Sequence, residues 1–201
     1  MFIYRGTPII SPNGKQIHLF PTTGTSSTPW LYIPFDQDNI NNRLEPIWIV
    51  EKPNAEYFYV HQDDDECTYI RTNYKAANFR LVCVDLKMNS PENWKTIIEE
   101  HPKYVLSDTL IINYDSQTSN AKLIAVYMID VVNIIQIYDL VNQTANYLFD
   151  VNTPIGTIQS IGGKREGSEF FFKVTTFLSP GIIYRYDFSV SPNKVKVSYI
   201  F

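Results

Sequence analysis

Three histidines, a run of carboxylates and two glycine-bearing strings are the residues of this chain with the types to do chemistry. Nucleophilic hydrolysis needs a serine on a strained elbow, a histidine base and an acid that orients the base. His18, His61 and His101 lie far apart and none has a motif neighbour. No G-x-S-x-G string is present, and both Gly24-Thr25-Ser26 and Gly167-Ser168-Glu169 lack the second glycine. His61-Gln62-Asp63-Asp64-Asp65-Glu66-Cys67 gathers one histidine, four carboxylates and a cysteine. Calcium loops alternate their ligands around a glycine, and zinc sites space His and Cys in pairs. This string does neither, and successive like charges between two strands read as a solvated hairpin tip. Gly162-Gly163-Lys164-Arg165-Glu166-Gly167 lacks the phosphate-loop spacing and runs into a strand rather than a helix, so it reads as a flexible turn. Trp30, Trp48 and Trp94 have the shape for stacking a ligand, but core packing is the default for such residues. No catalytic, binding or metal-ligating residue is assigned, no cofactor is implied, and catalysis by this chain alone is not expected.

The elements that carry these residues repeat. An apolar strand ends in Asp four times, in Tyr32-Ile33-Pro34-Phe35-Asp36, Val82-Cys83-Val84-Asp85-Leu86, Gln136-Ile137-Tyr138-Asp139-Leu140 and Tyr184-Arg185-Tyr186-Asp187-Phe188. The interval is close to fifty residues, about the length of a four-stranded propeller blade. The chain therefore reads as all-β: four antiparallel four-stranded blades over residues 1–52, 53–100, 101–151 and 152–201, with no room for a catalytic domain. Strands are expected at nearly every apolar run, separated by turn residues such as Asn13-Gly14. Lys194–Phe201 begins with the strict alternation of a strand with one wet face. Ser90–Glu100, with Pro91 at a first-turn position, reads as a turn leading into an outer strand rather than a helix. Each recurrent Asp is expected to accept backbone N–H groups of the following turn.

Composition agrees with a β-rich class. Aromatic residues make up 14% of the chain, a bias that suits pleated, half-buried surfaces. The net charge is −4 and the 17 basic residues are scattered, so no nucleic-acid footprint is present. No apolar stretch has the length of a membrane span, and Met1–Gly6 lacks the charged start and apolar core of a signal peptide. Asn142-Gln143-Thr144 matches a glycosylation acceptor but means little without an export signal. The expected address is the cytosol. Cys67 and Cys83 suit a reducing compartment. A hairpin turning near Ala76 puts Cys67 opposite Asp85 rather than Cys83, so no bridge is expected.

Several strings resemble the prolyl oligopeptidases. They are Ala77–Asp85, Glu92-Asn93-Trp94-Lys95, Glu100–Leu106, Asn133–Leu140 and, most specifically, Thr176-Phe177-Leu178-Ser179-Pro180-Gly181-Ile182-Ile183-Tyr184. The likeness covers most of residues 45–201 and thins over residues 1–44. Members of that family are cytosolic serine peptidases that cut short peptides after proline. An α/β-hydrolase domain carries their triad, and a seven-bladed propeller caps it and restricts access by size. The resemblance implies that this chain is the C-terminal four blades, a gating and docking segment whose partner is the hydrolase domain. Peptide substrates would belong to the complete enzyme alone. The family's cavity-facing arginine and cysteine fall on Thr22 and Thr25, so no substrate contact carries over. Asp115–Asn120 reads as an insertion in a hairpin loop. An arc of four blades leaves open faces that favour self-association. The alternatives are a free-standing interaction scaffold built from blade rims, and a peptidase subunit completed by a separately encoded hydrolase domain.

Overall fold

The computed structural model describes residues 6, 8–22, 26–35, 45–52, 54–63, 67–112, 121–189 and the backbone of 195–198. Two compact units divide at Glu99/Glu100. In the first, β1 (Ile9–Ile10), β2 (Gln16–Leu19), β3 (Trp30–Pro34) and β4 (Ile47–Val50) form one sheet. The strands β5 (Tyr57–Gln62), β6 (Thr68–Thr72), β7 (Arg80–Val84) and β8 (Lys95–Ile98) form the next. The second unit holds β9 (Val105–Ile112), β10 (Ala121–Ile129), β11 (Val132–Val141) and β12 (Thr144–Val151) in one sheet. Its other sheet comprises β13 (Thr157–Gly163), β14 (Glu169–Thr176), β15 (Ser179–Asp187) and β16 (Val195–Ser198). Each sheet is an antiparallel meander in chain order, the connectivity of a propeller blade. The third-to-fourth strand pairing carries a register shift in the first three sheets, at Trp30/Leu31, Leu81/Val82 and Ile137/Tyr138. Such bulges sharpen the local twist.

Side-chain alternation decides what each sheet buries. Along β14, Phe170, Phe172 and Val174 point into the core while Phe171 and Lys173 point away. They meet Ile112, Ile124, Ile135 and Ile137 of the neighbouring sheet, with Tyr184 and Tyr186 from β15. Phe172 stacks on Tyr184 and Phe170 on Tyr186, with ring centroids 5.3 and 5.4 Å apart. The first unit is built around Trp30, which is fully buried, as are Ile70 and Val82, with Trp94 buried beside them. Phe20 stacks on Trp30 at 5.7 Å, and Trp94 is wedged between Tyr57 and Tyr74. Trp30 and Trp94 are core residues, whereas Trp48 on β4 is largely exposed, against the default reading of all three as core.

The recurrent Asp does its expected work in two copies. Asp85 Oδ1 accepts the Lys87 N–H at 2.8 Å, and Asp187 Oδ1 accepts that of Ser189 at 2.9 Å. Asp139 departs: it lies inside β11 and pairs with Lys122 directly across the ladder. The reason is that β11 runs on to Val141, so its turn is made by Asn142 and Gln143, both with positive φ. Asp36 lies outside the described residues, as do Asp115–Asn120 and Thr25. At Asn13-Gly14 only Gly14 takes positive φ, in a turn closed by Gly14 N–H to Ser11 O at 2.8 Å. Residues 90–98 contain a single 3-10 turn, Pro91–Asn93, before β8. Pro91 starts it because its fixed φ suits a first helical position.

One expectation is overturned. The β6–β7 register pairs Thr68 with Val84 and Tyr69 with Cys83, which leaves Cys67 facing the Asp85 position as expected. Cys67 and Cys83 are nonetheless joined as a disulfide, with Cα atoms 5.4 Å apart. They sit on the same face as diagonal neighbours, and that separation lies within disulfide reach. Considering only directly opposed pairs missed the diagonal, so the two cysteines are not free thiols.

Candidate docking rim

The histidines serve local structure. His101 Nδ1 accepts the N–H groups of Lys103 and Tyr104 at 3.1 and 2.9 Å, and its ring lies flat on Tyr104. His61 faces Asp63 at 3.7 Å on β5, and Tyr69 donates to Asp63 at 3.1 Å. Asp63 N–H to Cys67 O, at 2.9 Å, spans the acidic turn whose residues 64–66 are outside the description. Among the described residues, no three His, Cys, Asp or Glu side chains converge as a metal site would require. Gly162 and Gly163 are the end of β13, and Lys164–Gly167 make the hairpin turn, closed by Gly167 N–H to Lys164 O at 3.0 Å. Thr22 lines an open groove of about 680 Å³ with Ile9, Phe20, Tyr57 and Phe58. Burial, with a further contribution from Tyr74, pushes the Tyr57 phenol well above its ordinary range. It is therefore a neutral donor, to Asn54 at 2.6 Å.

What the residue motifs do not reveal is an apolar rim on the second unit. The tight β10–β11 turn presents Val131, the β12–β13 link presents Ile155, and the β14–β15 turn presents Phe177 and Leu178. Val131 and Ile155 are 85% and 82% exposed, and Phe177 and Leu178 are fully so. Hydrogen bonds and close packing tie the three segments together. Asn133 N–H donates to Gly156 O at 3.2 Å, and Ile158 N–H donates to Asn133 Oδ1 at 2.8 Å. Gly156 in turn sits so close to β14 that an added Cβ would fall 2.6 Å from Thr175 O and 3.1 Å from Thr176 Cγ2. The rim is thus one continuous edge. Val131 also holds φ +67°, a left-handed conformation that strains a β-branched residue. Asp130 shares the left-handed conformation, as a two-residue hairpin turn requires, so the turn geometry holds Val131 out in solvent.

Gly156 is the keystone of that edge. Gly156→Ala is expected to cost about 1–3 kcal/mol, since the clash is with backbone that has to shift. Gly162→Ala, where a Cβ meets nothing within 4 Å, should be neutral or mildly stabilising. Urea titrations of the two variants check this contrast, and equal midpoints would contradict it.

The fold can be placed among known proteins. Residues 10–198 match the family model of the prolyl oligopeptidase N-terminal β-propeller domain. The chain belongs to that family. Prolyl oligopeptidase A of Amanita bisporigera is 27% identical over 180 residues, covering 89% of this chain and 22% of that protein. A prolyl endopeptidase of Elizabethkingia miricola is 26% identical over 135 residues, covering 67% of this chain and 17% of its own. Apo prolyl oligopeptidase B from Galerina marginata superposes with a TM-score of 0.81 over 96% of this chain and 26% of that one, at 20% identity. That likeness fixes the fold as a propeller segment of the prolyl oligopeptidase type. The chain spans about a fifth of the length of the fungal relatives it matches. In this propeller family, the string Thr176–Tyr184 that carries the sequence resemblance also contains the two most exposed apolar residues of the rim.

Proposed function

We propose that this chain is a non-catalytic propeller segment that docks onto, and gates access to, the α/β-hydrolase domain of a prolyl-oligopeptidase-type peptidase. The single observation that carries the docking is the apolar rim formed by Val131, Ile155, Phe177 and Leu178. A contiguous apolar edge held in place by hydrogen bonds, one residue of it strained, fits an interface and is costly to leave in water. The match to a propeller family model, and relatives about four times as long, support the assignment of the triad and the proline pocket to a different part of the assembly. The open blade faces at the ends of the arc favour self-association of the isolated chain.

On this reading the purified chain does not turn over a proline-specific fluorogenic peptide above background. Turnover abolished by a serine-directed inhibitor would contradict it.

A further inference from the structure

The seam between the first two sheets contains a buried polar chain that the docking function does not use. His18 on β2 is completely buried. The Trp30 indole N–H donates to His18 Nδ1 at 3.3 Å. An indole nitrogen can only donate, so Nδ1 is unprotonated and the proton of the neutral ring sits on Nε2. That Nε2–H donates to Gln62 Oε1 on β5 at 3.0 Å, and the Gln62 amide donates onward to Gln16 Oε1 at 3.4 Å. Both ring nitrogens are therefore satisfied in one protonation state only. A second proton on Nδ1 would point at the indole N–H, leaving two donors face to face. The titratable groups around the ring are Tyr32 from β3 and Tyr59 from β5, with centroids 6.1 and 5.1 Å away. Burial raises the Tyr32 phenol above its ordinary range, and among the described residues no carboxylate is in contact with the ring to stabilise an imidazolium.

We propose that His18 is a proton-operated latch: neutral, it ties β2 to β5 through Gln62, and protonated, it releases the seam between the first two sheets. Burial lowers the His18 pKa below 6.5, and the Gln62 hydrogen bond offsets this only in part. The unfolded chain therefore binds the extra proton first. Stability contributed by the latch is complete above about pH 6.5 and falls progressively as the pH drops toward the lower folded value. Above neutrality it is constant.

All three tryptophans lie in the first unit, so their fluorescence reports that unit alone. Between pH 7.5 and 4.5 the wild-type chain is expected to show a red shift in tryptophan emission with a midpoint below pH 6.5. His18→Gln removes the titration and should abolish that transition. Gln62→Glu, which supplies a carboxylate to the imidazolium, should move it to lower pH. An unchanged pH profile in His18→Gln would overturn the proposal. Should that variant not fold, histidine 15N resonances of the wild-type chain decide the matter. His18 titrating at or above 6.5, or titrating without any fluorescence change, overturns the latch; an Nε2–H tautomer titrating below 6.5 in step with the red shift supports it.

Discussion

Trp30→Ala is expected to cost about 3–5 kcal/mol, the range for deleting a large buried aromatic ring. The side chain is fully buried, stacks on Phe20, packs against Trp94 and donates to His18. Its removal leaves a cavity in the cluster it forms with Tyr57, Ile70, Val82 and Trp94 and strips Nδ1 of His18 of its donor. A loss of that size is a large fraction of the roughly 5–15 kcal/mol that stabilises a domain of about a hundred residues. The first unit should consequently unfold at markedly lower urea, followed through the emission of Trp48 and Trp94. A loss under about 1 kcal/mol would mean that the cluster repacks and that Trp30 does not organise it.

The second large effect concerns the rim. Phe177→Asp combined with Leu178→Asp should weaken binding to the hydrolase domain of a prolyl oligopeptidase by at least about tenfold, as expected when the apolar anchors of an interface are replaced by charge. Both residues are fully exposed in the unbound chain, so its own stability should change by no more than about 0.5 kcal/mol. Met88→Asp is the control, an exposed apolar residue that belongs to the first unit and is no part of the rim. Equal weakening by Met88→Asp would show that any added negative charge disturbs the complex.

The sheets were legible because strand periodicity is local. Alternation along Glu169–Thr175, and turns marked by Asn and Gly, depend only on near neighbours in sequence. The expected four antiparallel four-stranded units are accordingly the four sheets of β1–β16. Where a strand ran on, the local rule gave way: the extension of β11 to Val141 moved the turn beyond Asp139 and turned that residue into a cross-strand partner of Lys122. The bridge between Cys67 and Cys83 was missed for a similar reason, because diagonal proximity depends on twist as well as register.

The candidate site was hardly legible at all. Val131, Ile155, Phe177 and Leu178 look like ordinary strand or turn content, and nothing in their spacing says that all four escape burial. Their segments come to one edge through Asn133, which donates to Gly156 O and accepts from Ile158 N–H, and through the packing of Gly156 on β14. His18 has the same difficulty, since its partner Gln62 is 44 residues away and on another sheet. The family strings did better. Thr176–Tyr184 carried the most specific resemblance, and its first residues are the tip of the rim.

The most direct measurement is a calorimetric titration of the unmodified chain with the separately produced α/β-hydrolase domain of a prolyl oligopeptidase. A docking segment predicts saturable one-to-one binding, about micromolar or tighter, with a negative heat-capacity change from burial of the apolar rim. Absence of binding at about 100 μM, a concentration well above that affinity, would contradict the account.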